Sequence, residues 1–101
     1  MRAVLLVLLV GCTRDADPGS CYRDRDNACT EHGRAQAAAG KRMCTGGFQW
    51  TPGEHTCPKD NRLGVCARDG RDEILYAGPP NQFTSAAAQA QCESAGGVFR
   101  H

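Results

Sequence analysis

Seven cysteines in 101 residues, at positions 12, 21, 29, 44, 57, 66 and 92, constrain this chain more than any other feature. Such density belongs to an oxidising compartment, where cross-links make up for a small core. The intervals from Cys21 to Cys92 contain no two-residue gap of the Cys-x-x-Cys kind, so neither a zinc site nor a thioredoxin-type redox role is expected. An odd total is awkward for a disulfide framework, because one thiol needs another fate. The apolar supply points the same way. Beyond residue 11 the large aliphatics are Met43, Leu63, Val65, Ile74, Leu75 and Val98, and the aromatics are Tyr22, Phe48, Trp50, Tyr76, Phe83 and Phe99. So small a set does not offset the entropy of ordering the chain without staples.

Much of the 41% apolar content lies at the start, where Met1-Arg2 precedes the unbroken run Ala3 to Val10. A transmembrane helix needs roughly 18–20 such residues, so this run is too short to span a bilayer. A basic start, a short apolar stretch and a small residue read instead as a secretory signal, though at eleven residues a short one against the roughly 15–30 usual. Leu9-Val10-Gly11-Cys12 then resembles the lipobox of bacterial lipoproteins. The resemblance implies cleavage between Gly11 and Cys12, diacylglycerol on the Cys12 sulfur, and acylation (palmitate) of the new amino terminus. The residue types suit that chemistry, since a thiolate is the nucleophile a thioether requires and Gly11 leaves room for a peptidase. With Cys12 assigned to lipid, the six remaining cysteines form an even set, able to make three disulfides.

Residues 12–20 are polar, contain Pro18-Gly19 and lack periodicity, so they read as a lipidated start and flexible tether before a domain over 21–101. Thr13 rather than Asp after Cys12 favours the outer membrane over the inner, by resemblance to enteric lipoprotein sorting. Within the domain, Leu63 to Ala67 and Glu73 to Tyr76 read as strands joined through the Asp69-Gly70 turn. A helix is predicted from Ala86 to Ala95, capped by Thr84 or Ser85, with Ala88, Cys92 and Ala95 on its inner face. Gly96 suits a left-handed cap. Arg34 to Ala39, Cys44 and Gly46-Gly47-Phe48 echo this more weakly, with Gly40 costing that helix about 1 kcal/mol. The expected fold is therefore α+β, a small disulfide-rich domain of two imperfect β-hairpin/helix repeats, 21–56 and 57–99.

Gly64-Val65-Cys66, Tyr76, the Ala/Gln helix to Cys92 and Gly96-Gly97-Val98-Phe99 make this pattern similar to small cysteine-rich bacterial lipoproteins with tandem repeats, a family without an assigned activity. Six cysteines allow fifteen pairings. If the repeat governs them, equivalent pairs recur, which suggests Cys29–Cys44 and Cys66–Cys92, with Cys21–Cys57 joining the halves.

Signals for catalysis, cofactor or metal are weak. His32, His55 and His101 sit in polar context and read as exposed side chains. Asp24-Arg25-Asp26-Asn27 lacks the sixth-position Gly and twelfth-position Glu of a calcium loop. Asp69, Asp72 and Glu73 read as solvated turn carboxylates. Ser20, Ser85 and Ser94 read as linker, cap and helix residues, outside any nucleophile motif. Trp50, beside Thr51-Pro52-Gly53, is the one candidate contact for a sugar or protein, against the plainer reading that it packs inside. A net charge of +1, from 12 basic and 11 acidic side chains, argues against a nucleic-acid partner. The leading expectation is a non-enzymatic lipoprotein held to the membrane by its N-terminal lipid, binding an envelope protein or glycan or serving envelope structure. The alternatives are a protease inhibitor presenting Lys59 or Arg62 on the loop after Cys57, and a small cell-wall hydrolase with paired carboxylates.

Overall fold

A chain with so few large apolar residues has to cover both faces of its sheet with short segments, and here three disulfides hold those segments in place. The computed structural model describes residues 17–80 and 82–101. Among them the order is β1 (Gly19–Arg23), a 3₁₀ turn, β2 (Ala28–His32), α1 (Arg34–Met43), β3 (Gln49–Pro52), β4 (Arg62–Arg68), β5 (Arg71–Tyr76), α2 (Ser85–Ser94) and β6 (Val98–Arg100). The fold is α+β, a ββαβ unit followed by a second ββαβ unit. All six strands join one antiparallel sheet in the order β3-β1-β2-β5-β4-β6. The two hairpins meet through β2 and β5, and each unit's last strand lies outermost beside its own first strand.

Local chemistry accounts for the second unit. Asp69 and Gly70 both take positive φ in the β4–β5 turn. Of the two expected caps for α2, Thr84 is the one used: its hydroxyl accepts the Ala87 N–H at 3.2 Å. Gly96, at φ 85°, ends the helix, and the Gly97 N–H reaches the Cys92 carbonyl at 3.0 Å. Ala88 and Cys92 are buried as expected, while Ala95 is exposed. In the first unit α1 starts at Gly33, which has no side chain to cap it, and runs on through Gly40 to Met43.

Strand alternation decides where the cysteines go. Cys21, Thr30, Glu73 and Cys66 are successive cross-strand neighbours, so all four share the helix side of the sheet. Cys29, next to Thr30 on β2, faces the other side. The disulfides are accordingly Cys21–Cys44, Cys29–Cys57 and Cys66–Cys92. Only Cys66–Cys92 matches the sequence-based pairing. The expected Cys29–Cys44 and Cys21–Cys57 bonds are replaced because α1 lies over Cys21, whereas Cys29 meets the 53–61 linker on the opposite face. That linker also docks through Tyr76 Oη, which donates to the Pro58 carbonyl at 2.7 Å, and through a 2.6 Å hydrogen bond between the Ser20 and Thr56 hydroxyls.

Sulfur supplies much of the interior. Among the described residues, five of the eleven buried apolar ones are half-cystines, so reduction would loosen packing as well as remove cross-links. One cluster joins Cys29, Cys57, Ile74 and Tyr76 with Tyr22 and Val65 under the linker. The other joins Ala28, Leu75 and Ala88 with Leu63, Phe83 and Phe99 under α2. Met43 and Val98, two of the six large aliphatics beyond residue 11, are 79% and 66% exposed. Gly19 and Ser20, expected in the tether, are buried in β1.

Two measurements check this account. Non-reducing peptide mapping should return the three bonds above, with Cys21 never linked to Cys57. Replacing both Cys29 and Cys57 by Ala releases a cross-link spanning 28 residues. It should lower unfolding stability by about 3 kcal/mol in chemical denaturation and leave the other two bonds formed.

Candidate functional site

Two positions beyond Cys21 and Cys66 along their strands stand Arg23 and Arg68, on the same helix-facing side. The strand register relates the hairpins by an approximate two-fold: Cys21 lies opposite Thr30 as Cys66 lies opposite Glu73, and Thr30 lies opposite Glu73 at the junction. Arg23 and Arg68 thus converge on Glu73. Its Oε1 accepts from Arg68 Nη2 at 3.3 Å, and its Oε2 accepts from Arg23 Nη2, which also donates to Thr30 Oγ1 at 3.2 Å. Arg23 Nη1 reaches Asp26 at 3.3 Å. The Glu73 side chain is 12% exposed, so this is a carboxylate gripped by two cations rather than the solvated turn residue its sequence context suggested.

These residues floor a groove of about 300 Å³, with Thr30, His32, Gly40 and Arg71 along it and Met43 and Phe48 on its rim. His32 departs from the exposed reading. Its ring packs so closely against α1 that a Cβ on Gly40 would fall 2.7 Å from it, which explains a glycine in mid-helix. Burial foremost, then the charges of Arg71 and Arg23, hold the imidazole below its ordinary 6.5. Trp50 is half-buried: its ring covers Gly19 and sits 5.7 Å from the His32 ring, centroid to centroid. Phe99 covers Gly64 in the same manner in the second unit. Trp50 is therefore a packing residue behind one groove wall rather than an exposed platform.

A second concavity, of about 370 Å³, opens at the end of the sheet where β1 begins, and it shares His32 and Arg71 with the groove. Glu31 and Asp72 are direct cross-strand neighbours there. His55 Nδ1 lies 3.4 Å from Glu31 Oε1, and Arg100 lies 3.8 Å from Asp72. Among the described residues no group of three or more His, Cys, Asp or Glu side chains could hold a metal ion. In the loop after Cys57, Arg62 is folded back, donating to the carbonyls of Pro58 at 2.8 Å and Cys57 at 3.1 Å, while Lys59 is exposed. His55 and His101 are exposed, the latter edge-on to Phe99 at 5.1 Å. Gly11 and Cys12 lie outside the described residues.

Arg23, Arg68, Arg71 and Glu73 were not singled out as site residues from the sequence. A signal was present: Gly19-Ser20-Cys21-Tyr22-Arg23 and Gly64-Val65-Cys66-Ala67-Arg68 share the pattern Gly-x-Cys-x-Arg. In both, the Gly admits an aromatic ring, the Cys ties the strand to its helix, and the Arg faces the junction. The chain matches no protein-family model, no curated protein and no solved structure.

Glu73→Gln leaves two guanidinium groups facing each other across a neutral amide. It should lower stability by about 2–3 kcal/mol in denaturant titration under oxidising conditions. The pH response follows from His32. Because its folded pKa is lowered, the unfolded chain binds the proton first. Stability from this residue is complete above pH 6.5 and is lost as the pH falls from there towards the lowered value. Unfolding midpoints measured from pH 7 to pH 5 should therefore fall less steeply in His32→Gln than in the native protein.

Proposed function

We propose that this protein is a lipid-anchored module of the bacterial cell envelope that binds a ligand in the arginine groove without chemically transforming it. The observation that carries the anchoring is the cysteine tally. Three disulfides take up six of the seven cysteines, and the remaining one is Cys12, directly after Leu9-Val10-Gly11. No helix among the described residues is long and apolar enough to cross a membrane, so a lipid on Cys12 is the attachment this reading requires. Thr13 after Cys12 favours the outer membrane over the inner. Residues 13–18, at about 3.3 Å each, would keep the start of β1 within about 20 Å of the lipid head groups. An envelope protein or glycan is then the partner within reach of the groove.

Binding without turnover is supported by how the reactive side chains are engaged. Glu73 is gripped by two arginines, the Ser20 hydroxyl is bonded to Thr56, and six thiols are oxidised. A cell-wall hydrolase would draw on the paired carboxylates Glu31 and Asp72 at the sheet end, where Glu31 already lies 3.4 Å from His55 and Asp72 3.8 Å from Arg100. One observation favours protease inhibition as a second reading. Lys59 is exposed, with one long 3.5 Å hydrogen bond to the His55 carbonyl, on a loop fixed by the Cys29–Cys57 bond and the Tyr76–Pro58 hydrogen bond, whereas Arg62 is held by two carbonyls of that loop. Trypsin-type proteases should then be inhibited by the native protein and spared by Lys59→Ala; an absence of inhibition removes this reading.

Intact mass spectrometry of membrane-extracted protein tests the anchor. The expected chain begins at Cys12 and carries acyl groups that survive reduction. Cys12→Ser should leave the leader uncleaved and abolish labelling by a palmitate analogue. An unacylated native chain that retains Met1 would overturn the proposal.

A further inference from the structure

Arg68 and Arg71 are cross-strand neighbours on one face of the β4–β5 hairpin, an arrangement in which like charges repel. Glu73 relieves it only in part, because its two oxygens go to Arg68 Nη2 and to Arg23. Arg68 Nε is buried and has no hydrogen-bond partner among the described residues, and the same holds for His32 Nδ1. Arg71 is exposed and forms no ion pair among the described residues. His32, Arg68 and Arg71 all line the same groove, Arg71 with its side chain exposed. Its charged side chains are three arginines against Asp26 and Glu73, an excess of a single positive charge. Phe48 and Met43 add an apolar rim.

We propose that the groove binds the carboxylate of a ligand whose neighbouring atoms are apolar, such as the C-terminal end of a short peptide. A carboxylate is planar and carries one negative charge. It can accept from the Arg71 fork with both oxygens, and its charge offsets the repulsion between Arg71 and Arg68. The substituent beside the carboxylate lies against Phe48 and Met43. A phosphate dianion matches less well, since its second charge exceeds the excess available and sits close to Glu73. The assignment rests on reading this groove as the protein's ligand face, and it supplies the ligand chemistry that the envelope-module reading leaves open.

Trp50, the only tryptophan, lies tilted against the ring of His32, which lines the groove, so its emission is the readout of occupancy. The experiment titrates the full-length chain in detergent with N-acetyl-alanyl-alanine, with the corresponding carboxamide, and with inorganic phosphate. The free acid should give a saturable change in emission, with the amide and phosphate weaker by about tenfold or more. Arg71→Ala should weaken the acid by about tenfold without altering the circular dichroism, because this side chain is exposed and unpaired, and Arg71→Lys should restore part of the loss. Equal binding of acid and amide, phosphate binding as tight as the acid, or an unchanged affinity in Arg71→Ala would each overturn the proposal. Mass analysis of the same sample separates the two readings. A non-acylated chain that still selects the acid removes the anchor and keeps the groove, and an acylated chain with no such preference does the reverse.

Discussion

Each face of this sheet is covered by something too thin to stay there unaided: two ten-residue helices on one side and a linker on the other. The bond from sheet to cover is in every case a disulfide, Cys21 and Cys66 to the helices and Cys29 to the linker. The burial of Ile74, Leu75, Tyr76 and Ala88 depends on those covers staying in place. Small exported domains commonly reach stability this way, because a covalent tie lowers the entropy of the unfolded chain where apolar area is short.

The same ties determine where a ligand groove can exist. With both helices fastened to one face through β1 and β4, a trough is left over the β2–β5 junction, where Thr30 and Glu73 are nearly buried, while Ala28 and Leu75 of the same strands are covered by α2. Arg23 and Arg68 enter the trough from opposite units, and Glu73 alone holds them together. An arrangement with two-fold register but a single carboxylate at its centre leaves cationic character unspent, which is why the arginines and not the aromatics define the groove. Trp50 and Phe99 instead serve the strands, each filling the space over a glycine on the neighbouring strand, where a side chain would otherwise have packed.

Several features were readable before any coordinates. The β4–β5 hairpin, its Asp-Gly turn, the Thr84-capped helix and the Gly96 stop rest on contacts within a few residues, and they fell where expected. The Cys66–Cys92 bond, suggested by the repeat, is formed. The first unit was fainter because α1 lacks a capping side chain and contains Gly40, whose purpose is visible only when His32 is seen against it. The remaining pairing went astray because Cys29 was aligned with Cys66. The strand register instead makes Cys21 the counterpart of Cys66, with Gly19 matching Gly64 and Arg23 matching Arg68.

By itself the sequence determined the β4–β5 hairpin with its turn and the helix α2 with its cap and stop, and left six cysteines as an even set able to pair, because period, turn chemistry and the cysteine count act locally or by arithmetic. It also carried the apolar run and the Leu9-Val10-Gly11-Cys12 motif, which lie outside the described residues. Only the tertiary structure decided which sulfurs meet, and that Glu73, fifty residues along the chain from Arg23, closes on it. Such choices turn on which face of a strand a residue occupies and which strands become neighbours. A shift of one position reverses the face, and no stretch of sequence states the neighbour.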